Sequence, residues 1–198
     1  MLFNAMVILD RGHGQKSPDR FDPGATHGDL RETDLVDLYF AAMKTALESA
    51  GVKVRILDSG AYRKRNARAR YIAAKNSDMR IVHVYGHVNS ADPPGAYGAY
   101  FHHPKSRNGK AVCQSIAGCF EGWEAFDRVR VFSATYSSWR APYNILRESY
   151  TAPPNLCGVL LEPFFIQHPD HQEFTTEIGA ERLGTAIAAG LIKYLGGI

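Results

Sequence analysis

Apolar positions along this chain change their period repeatedly, and each change marks an element. Residues 6–10, Met-Val-Ile-Leu-Asp, form a short β-rich run that reads as a buried strand. Residues 11–31 are rich in Gly, Asp and Pro and read as a long loop, a kind that usually serves function in compact domains. From Glu32 the period becomes helical, with Leu35, Val36, Leu38, Tyr39, Ala42, Met43, Ala46 and Leu47 on one side. Glu32 and Asp34 suit the positive end of that helix, and Gly51 suits its C-terminal turn.

The same alternation continues to the end of the chain. Residues 53–57 read as a strand with Val54 and Ile56 on one face, and 61–76 as a basic helix. Residues 80–85 form a third strand that Gly86 releases, and 97–102 a fourth after the loop at 91–94. A helix over 109–120 and a strand over 129–132 follow. Residues 134–155 carry Trp139, Pro142, Tyr143, Tyr150 and Pro153-Pro154 and read as irregular. Residues 159–162 form the last strand, and 177–195 a closing helix with Ile178, Leu183, Ile187, Ala188, Leu191 and Leu195 inward. Strands alternating with helices imply an α/β fold: a twisted, mostly parallel central sheet with helices on both faces. With no repeat and no linker, residues 1–198 read as one domain.

Composition narrows the partners. At 198 residues the chain is long enough to bury a real core. A net charge of +3 suits an anionic surface without marking a nucleic-acid partner, and none is expected. No apolar run approaches the ~20 residues that span a bilayer, so no membrane span is expected. The start, Met1-Leu2-Phe3-Asn4-Ala5, has neither a basic region nor a long apolar segment. It reads as lacking a signal peptide, which implies a protein made in the cytoplasm. Cys113, Cys119 and Cys157 are odd in number and form no Cys-x-x-Cys pair, so they read as small apolar core residues.

The chemistry gathers at element ends. In Val7-Ile8-Leu9-Asp10-Arg11-Gly12-His13-Gly14, a histidine between two glycines at the end of a strand is positioned rather than packed. Glu32 opens a helix, His87 follows a strand and Glu162 ends another. These are the places where an α/β sheet gathers its ligands. Two imidazoles and a carboxylate make a zinc set with one open position, and a further carboxylate is the usual general base.

Other candidates have quieter readings. His83 lies inside a strand and reads as a core or face residue. His102 and His103 are adjacent and point to opposite faces, so one is free to face a cleft and touch substrate. His168 and His171 lack a third ligand nearby and read as loop histidines. The run Arg63-Lys64-Arg65, Arg68 and Arg70 reads as a solvated helix surface. Trp139, Tyr143 and Tyr150 suit either a core or a groove for glycan or peptide.

Taken in order, the motifs Leu9-Asp10-Arg11-Gly12-His13-Gly14, Asp22-Pro23-Gly24-Ala25, Glu32, His87-Val88-Asn89 and Leu161-Glu162-Pro163-Phe164-Phe165 run through nearly the whole chain. Together they resemble the zinc-dependent N-acetylmuramoyl-L-alanine amidases of the amidase-3 type, which include bacterial cell-wall amidases and phage endolysins. The resemblance implies one zinc ion (Zn2+) per chain held by His13, Glu32 and His87, with Glu162 as the catalytic acid and base. It implies peptidoglycan as the substrate, cut at the amide that joins the lactyl carbonyl of N-acetylmuramic acid to L-alanine. Tyr85-Gly86 before His87, Pro163 after Glu162 and Gln167-His168-Pro169 depart from the usual pattern and bear on peptide preference. Without a signal peptide or an added wall-binding domain, a phage or prophage lysin is the expected role. The alternatives are a zinc peptidase of carboxypeptidase type acting on wall peptides, and a wall-binding module without catalysis. No His-x-x-Glu pair surrounds His13, which counts against the peptidase. The pattern implies no particular oligomeric state.

Overall fold

The computed structural model describes residues 4–126, 128–151 and 153–196. Residues 1–3, part of the segment read as leaderless, lie outside the described residues. The architecture is the expected α/β one, a single domain around a seven-stranded mixed sheet. Strand β1 (Ala5–Ser17) pairs in parallel with β6 (Arg80–Gly86) on one side and β5 (Lys53–Ser59) on the other. Beyond β6 lies β9 (Leu156–Glu162), also parallel. Next comes β7 (Tyr97–His102), antiparallel to β9, and then β8 (Arg128–Ser133), parallel to β7. Because β1, β6 and β9 run the same way, their C-terminal ends lie side by side, where open α/β sheets bind ligands.

Both faces of the sheet are covered. Helices α1 (Glu32–Ser49), α3 (Arg107–Ala117) and α5 (Glu177–Gly196) pack on one face against Val7, Leu9, Val82, Val84, Val159 and Leu161. Helices α2 (Tyr62–Lys75) and α4 (Arg140–Tyr150) take the other, against Met6, Ile8, Ile81, Phe101 and Leu160. Strands buried on both sides explain why β1, β6 and β9 read as nearly continuous apolar runs. No helix of the described residues is long and apolar enough to cross a membrane.

Several expectations are corrected. The loop expected over 11–31 is largely hairpin. Strand β1 continues to Ser17 and pairs with antiparallel β2 (Arg20–Asp22), and β3 (Thr26–His27) pairs with β4 (Leu30–Arg31). These strands are short and mostly half-buried or exposed, so they leave no apolar alternation to read. The stretch expected to be irregular holds α4, whose Pro142 sits in the first turn, where no intrahelical N–H partner is lost. Helix α3 starts at Arg107, two residues early, because Ser106 caps it by accepting from the Gly109 N–H. Ile178, expected inward, is 75% exposed. Leu183, Ile187, Ala188, Leu191 and Leu195 are buried as expected, and Gly179, Ala180 and Gly184 join them. Cys113 and Cys157 are buried and Cys119 is half-buried, all as free thiols.

Candidate metal centre

Strand β1 delivers His13 to the C-terminal edge of the sheet, and the hairpin with β2 orients it. A Cβ on Gly12 would sit 2.1 Å from His87 Cε1, so only glycine lets this strand approach the second imidazole. The two rings meet edge to face with centroids 5.0 Å apart. His13 Nδ1 lies 2.9 Å from Asp22 Oδ2. Burial raises the Asp22 carboxyl. The hydrogen bonds from His13 and the Gly24 N–H, with the charges of His13 and Lys16, outweigh that and hold it at about 2. An ionised Asp22 accepts a hydrogen bond from Nδ1–H and keeps the proton on that nitrogen. The Nε2 lone pair is left facing Glu32 Oε2 at 3.5 Å.

Glu32 is the first residue of α1, where the helix dipole favours a carboxylate. Its side chain is nearly sealed from solvent, yet both oxygens are answered. Oε1 accepts from the Val88 N–H at 3.0 Å and lies 2.9 Å from His87 Nδ1, while Oε2 accepts from the Ala25 N–H at 2.7 Å. Gly24 permits this by its left-handed φ of +73°, and a Cβ there would stand 2.4 Å from Oε2. Burial pushes the Glu32 carboxyl up. The His87 hydrogen bond, the charges of His87 and His13 and the Ala25 N–H reverse that and leave it below its ordinary value.

Backbone stitching fixes His87. Its N–H donates to Leu161 O, the Asn89 N–H to Phe164 O, and the Ile166 N–H to Asn89 O, each at 2.9 Å. The chain leaving β6 is thereby laced to the chain leaving β9, which sets His87 beside Glu162. On the ring's other side, Tyr62 Oη lies 3.0 Å from Nε2 and the two rings stack. Tyr62 thus occupies one ring nitrogen and leaves Nδ1 facing Glu32. It was not a sequence candidate, because nothing marks the first residue of a basic helix as a neighbour of a distant histidine.

One atom each from His13, Glu32 and His87 converge within 4.8 Å of one another. Bonds of ~2.0–2.2 Å in a tetrahedron set ligand atoms roughly 3.3–3.6 Å apart. Glu32 spans the two imidazoles with both oxygens, Oε2 3.5 Å from His13 Nε2, within that spacing, and Oε1 2.9 Å from His87 Nδ1, a hydrogen-bond distance that a shared ion would widen. Each ligand atom is backed by a second group, as working metal ligands are. The donor set and its support therefore fit a zinc ion with one position open. Glu162 ends β9 nearby. Burial raises its carboxyl; the charge of His87 opposes this and that of Glu32 adds to it, leaving it at about 7. A carboxylate so poised can accept and return a proton near neutrality.

The remaining candidates are drawn elsewhere. His83 is fully buried with Nε2 3.1 Å from Asp10 Oδ2, a core residue as expected. Arg65 is corrected: it is not solvated but fully buried, donating to Asp10 Oδ1 at 2.6 Å and to Gly12 O at 2.9 Å. His102 and His103, either of which was free to face the cleft, lie away from it. Antiparallel register pairs His102 with Val159, three residues before Glu162, so both histidines lie toward the opposite end of the sheet. There His103 stacks on Tyr150 with centroids 4.2 Å apart and on Tyr143 at 5.5 Å. Trp139 packs against Phe101 and Phe132. His171 is buried and structural: Nδ1 accepts from the Phe165 N–H and Nε2 lies 3.1 Å from Ala125 O.

The family profile described as N-acetylmuramoyl-L-alanine amidase matches residues 7–193, and the chain belongs to that family of peptidoglycan amide hydrolases. Among curated proteins, none matches the chain by sequence. Solved structures do. Cwp6 from Clostridium difficile aligns with a TM-score of 0.73 at 22% identity, over 94% of this chain and 28% of that one. This chain therefore spans little more than a quarter of Cwp6. The N-acetylmuramoyl-L-alanine amidase AmiC2 of Nostoc punctiforme gives 0.66 at 22% identity, over 99% of both chains. The catalytic domain of the CD27L endolysin targeting Clostridia Difficile gives 0.61 at 12% identity, over 96% and 97%. At these identities the likeness speaks for the shared fold.

Proposed function

We propose that this member of the amidase family is a zinc hydrolase. In this reading it cuts the amide between the lactyl group of N-acetylmuramic acid and L-alanine, and acts as a phage or prophage lysin. The observation that carries the catalytic reading is the convergence of His13, Glu32 and His87 beside Glu162, with no lysine or arginine paired to Glu32 among the described residues. His13, Glu32 and His87 would hold the zinc ion, which when bound would acidify a water toward neutrality and offer positive charge to the carbonyl oxygen. Asp22 and Tyr62 hold the imidazoles in the tautomers that keep one ring nitrogen of each free for the ion. Glu162 takes the proton from the attacking water and returns one to the departing alanine nitrogen. A carboxyl near neutrality serves both steps. The lysin role draws its support from the fold shared with the CD27L endolysin domain.

Digestion of purified peptidoglycan tests the bond. Peptides bearing a new L-alanine amino terminus, with uncut glycan strands, are the expected products by mass spectrometry. Termini further along the peptide would identify a wall peptidase, and absence of soluble fragments a binding module. Rapid clearing of a wall suspension tests the lysin role.

A further inference from the structure

A row of side chains runs across the sheet from Glu162. Register pairs Glu162 with Ala99 on β7, and Ala99 with Arg130 on β8. Residues opposed in a sheet point to one face, so Glu162, Ala99 and Arg130 share the face of α2 and α4. The next row inward is Leu160, Phe101 and Phe132, and Trp139 packs over its two phenylalanines. Glu162 and Arg130 both keep part of their surface in solvent. Two strand spacings set their Cα atoms ~10 Å apart, and Ala99 puts only a methyl between them.

Arg130 is built into this position without a counter-charge. Its guanidinium lies 3.9 Å from the centroid of the Tyr97 ring. Phe165, three residues after Glu162, braces that ring edge-on at 5.1 Å. Among the described residues Arg130 has no acidic partner, and its Nε is buried without a hydrogen bond. A partly desolvated guanidinium is costly until an anion meets it, and its fork matches a carboxylate. The stack is tied to the segment carrying Glu162, the group that returns a proton to the leaving nitrogen. What extends past Glu162 is therefore the peptide rather than the sugar.

We propose that Arg130, stacked on Tyr97, binds a carboxylate on the residue that follows L-alanine, and so selects acidic stem peptides over amidated ones. This rests on the amidase reading for the direction in which the peptide lies. One residue advances the chain by ~3.8 Å, and the long arginine side chain covers the rest of the interval.

The test is equilibrium binding to Glu162→Gln protein, whose slowed turnover leaves the ligand intact over the measurement. The ligands are two muramoyl dipeptides that differ only in a carboxylate or carboxamide on the second residue. Without further change, the acidic ligand is expected to bind about 10–100-fold tighter, the worth of a charge-assisted contact. Adding Arg130→Gln should abolish that preference and leave the amidated ligand within about twofold, and Arg130→Lys should restore part of it. Equal affinity for the two ligands, equal loss on both, or no binding of either overturns the proposal. An amidase reading that fails shows itself separately, as an intact lactyl–alanine bond in wall digests by the unsubstituted enzyme.

Discussion

Two clusters of imidazole and carboxylate meet along β1, three residues apart, and they are built to opposite ends. Asp10, His83 and Arg65 lie between the sheet and α2. There Arg65 donates to Asp10 Oδ1, His83 stands at Oδ2, and all three side chains are sealed from water. His13, Glu32 and His87 lie at the sheet's edge. Their ligand atoms converge from three elements, and among the described residues no arginine or lysine is paired to the carboxylate. Both set imidazole against carboxylate. What separates a structural cluster from a metal site here is one cation: the chain supplies it to the first and leaves the second to take it from outside. The two are also coupled, because Arg65 holds the Gly12 carbonyl and so the strand that presents His13.

The largest effect should come from the open side. Glu162→Gln preserves shape and removes the proton acceptor, so turnover should fall ~10²–10⁴-fold with zinc retained. In the parent enzyme, activity should drop about tenfold per pH unit once Glu162 protonates, and a bound zinc ion beside it would move that point below the metal-free value of about 7. The sign for stability is opposite. A carboxyl raised to about 7 in the folded state favours the protonated form, so its contribution is lost as pH rises from the ordinary carboxylate range through 7. Metal-free Glu162→Gln should therefore be more stable than its parent at pH 8 and equal to it near pH 4. Near-normal turnover in a folded, zinc-loaded variant would remove Glu162 from the chemistry.

On the closed side, Arg65→Met should cost roughly 3–5 kcal/mol in urea unfolding, because it strands the buried Asp10 carboxylate. Arg65→Met with Asp10→Asn should recover much of that loss. A single variant within 1 kcal/mol of the parent would show that Arg65 does not neutralise the cluster. A smaller effect is expected at Tyr62. Tyr62→Phe should weaken zinc about tenfold in a chelator competition while leaving the unfolding midpoint of the metal-free protein nearly unchanged. Unaltered zinc affinity would mean that the hydroxyl does not orient His87.

The comparison also shows what was legible in the sequence. Strands β1, β6 and β9 are buried on both faces, so their apolar runs reveal them. Residues at their ends stand out because glycines interrupt the pattern around them, as Gly12 and Gly14 do for His13. The partners of those residues leave no such mark. Arg65 sits in a helix whose neighbours Arg63, Lys64 and Arg68 are solvated, and only Asp10, 55 positions earlier, makes it a core residue. Asp22 lies in the stretch read as a loop, and only the hairpin places it on His13. Helix α4 hides because Trp139, the residue before it, packs on Phe101 of β7 and Phe132 of β8, contacts that no local period encodes.

Metal content after exchange into zinc and gel filtration tests the distinction between the clusters most directly. The unsubstituted protein and His83→Ala should each carry about one zinc per chain, while His13→Ala and His87→Ala carry none and remain folded. Zinc retained by His13→Ala, or lost from folded His83→Ala, would contradict the assignment of the open cluster as the metal centre.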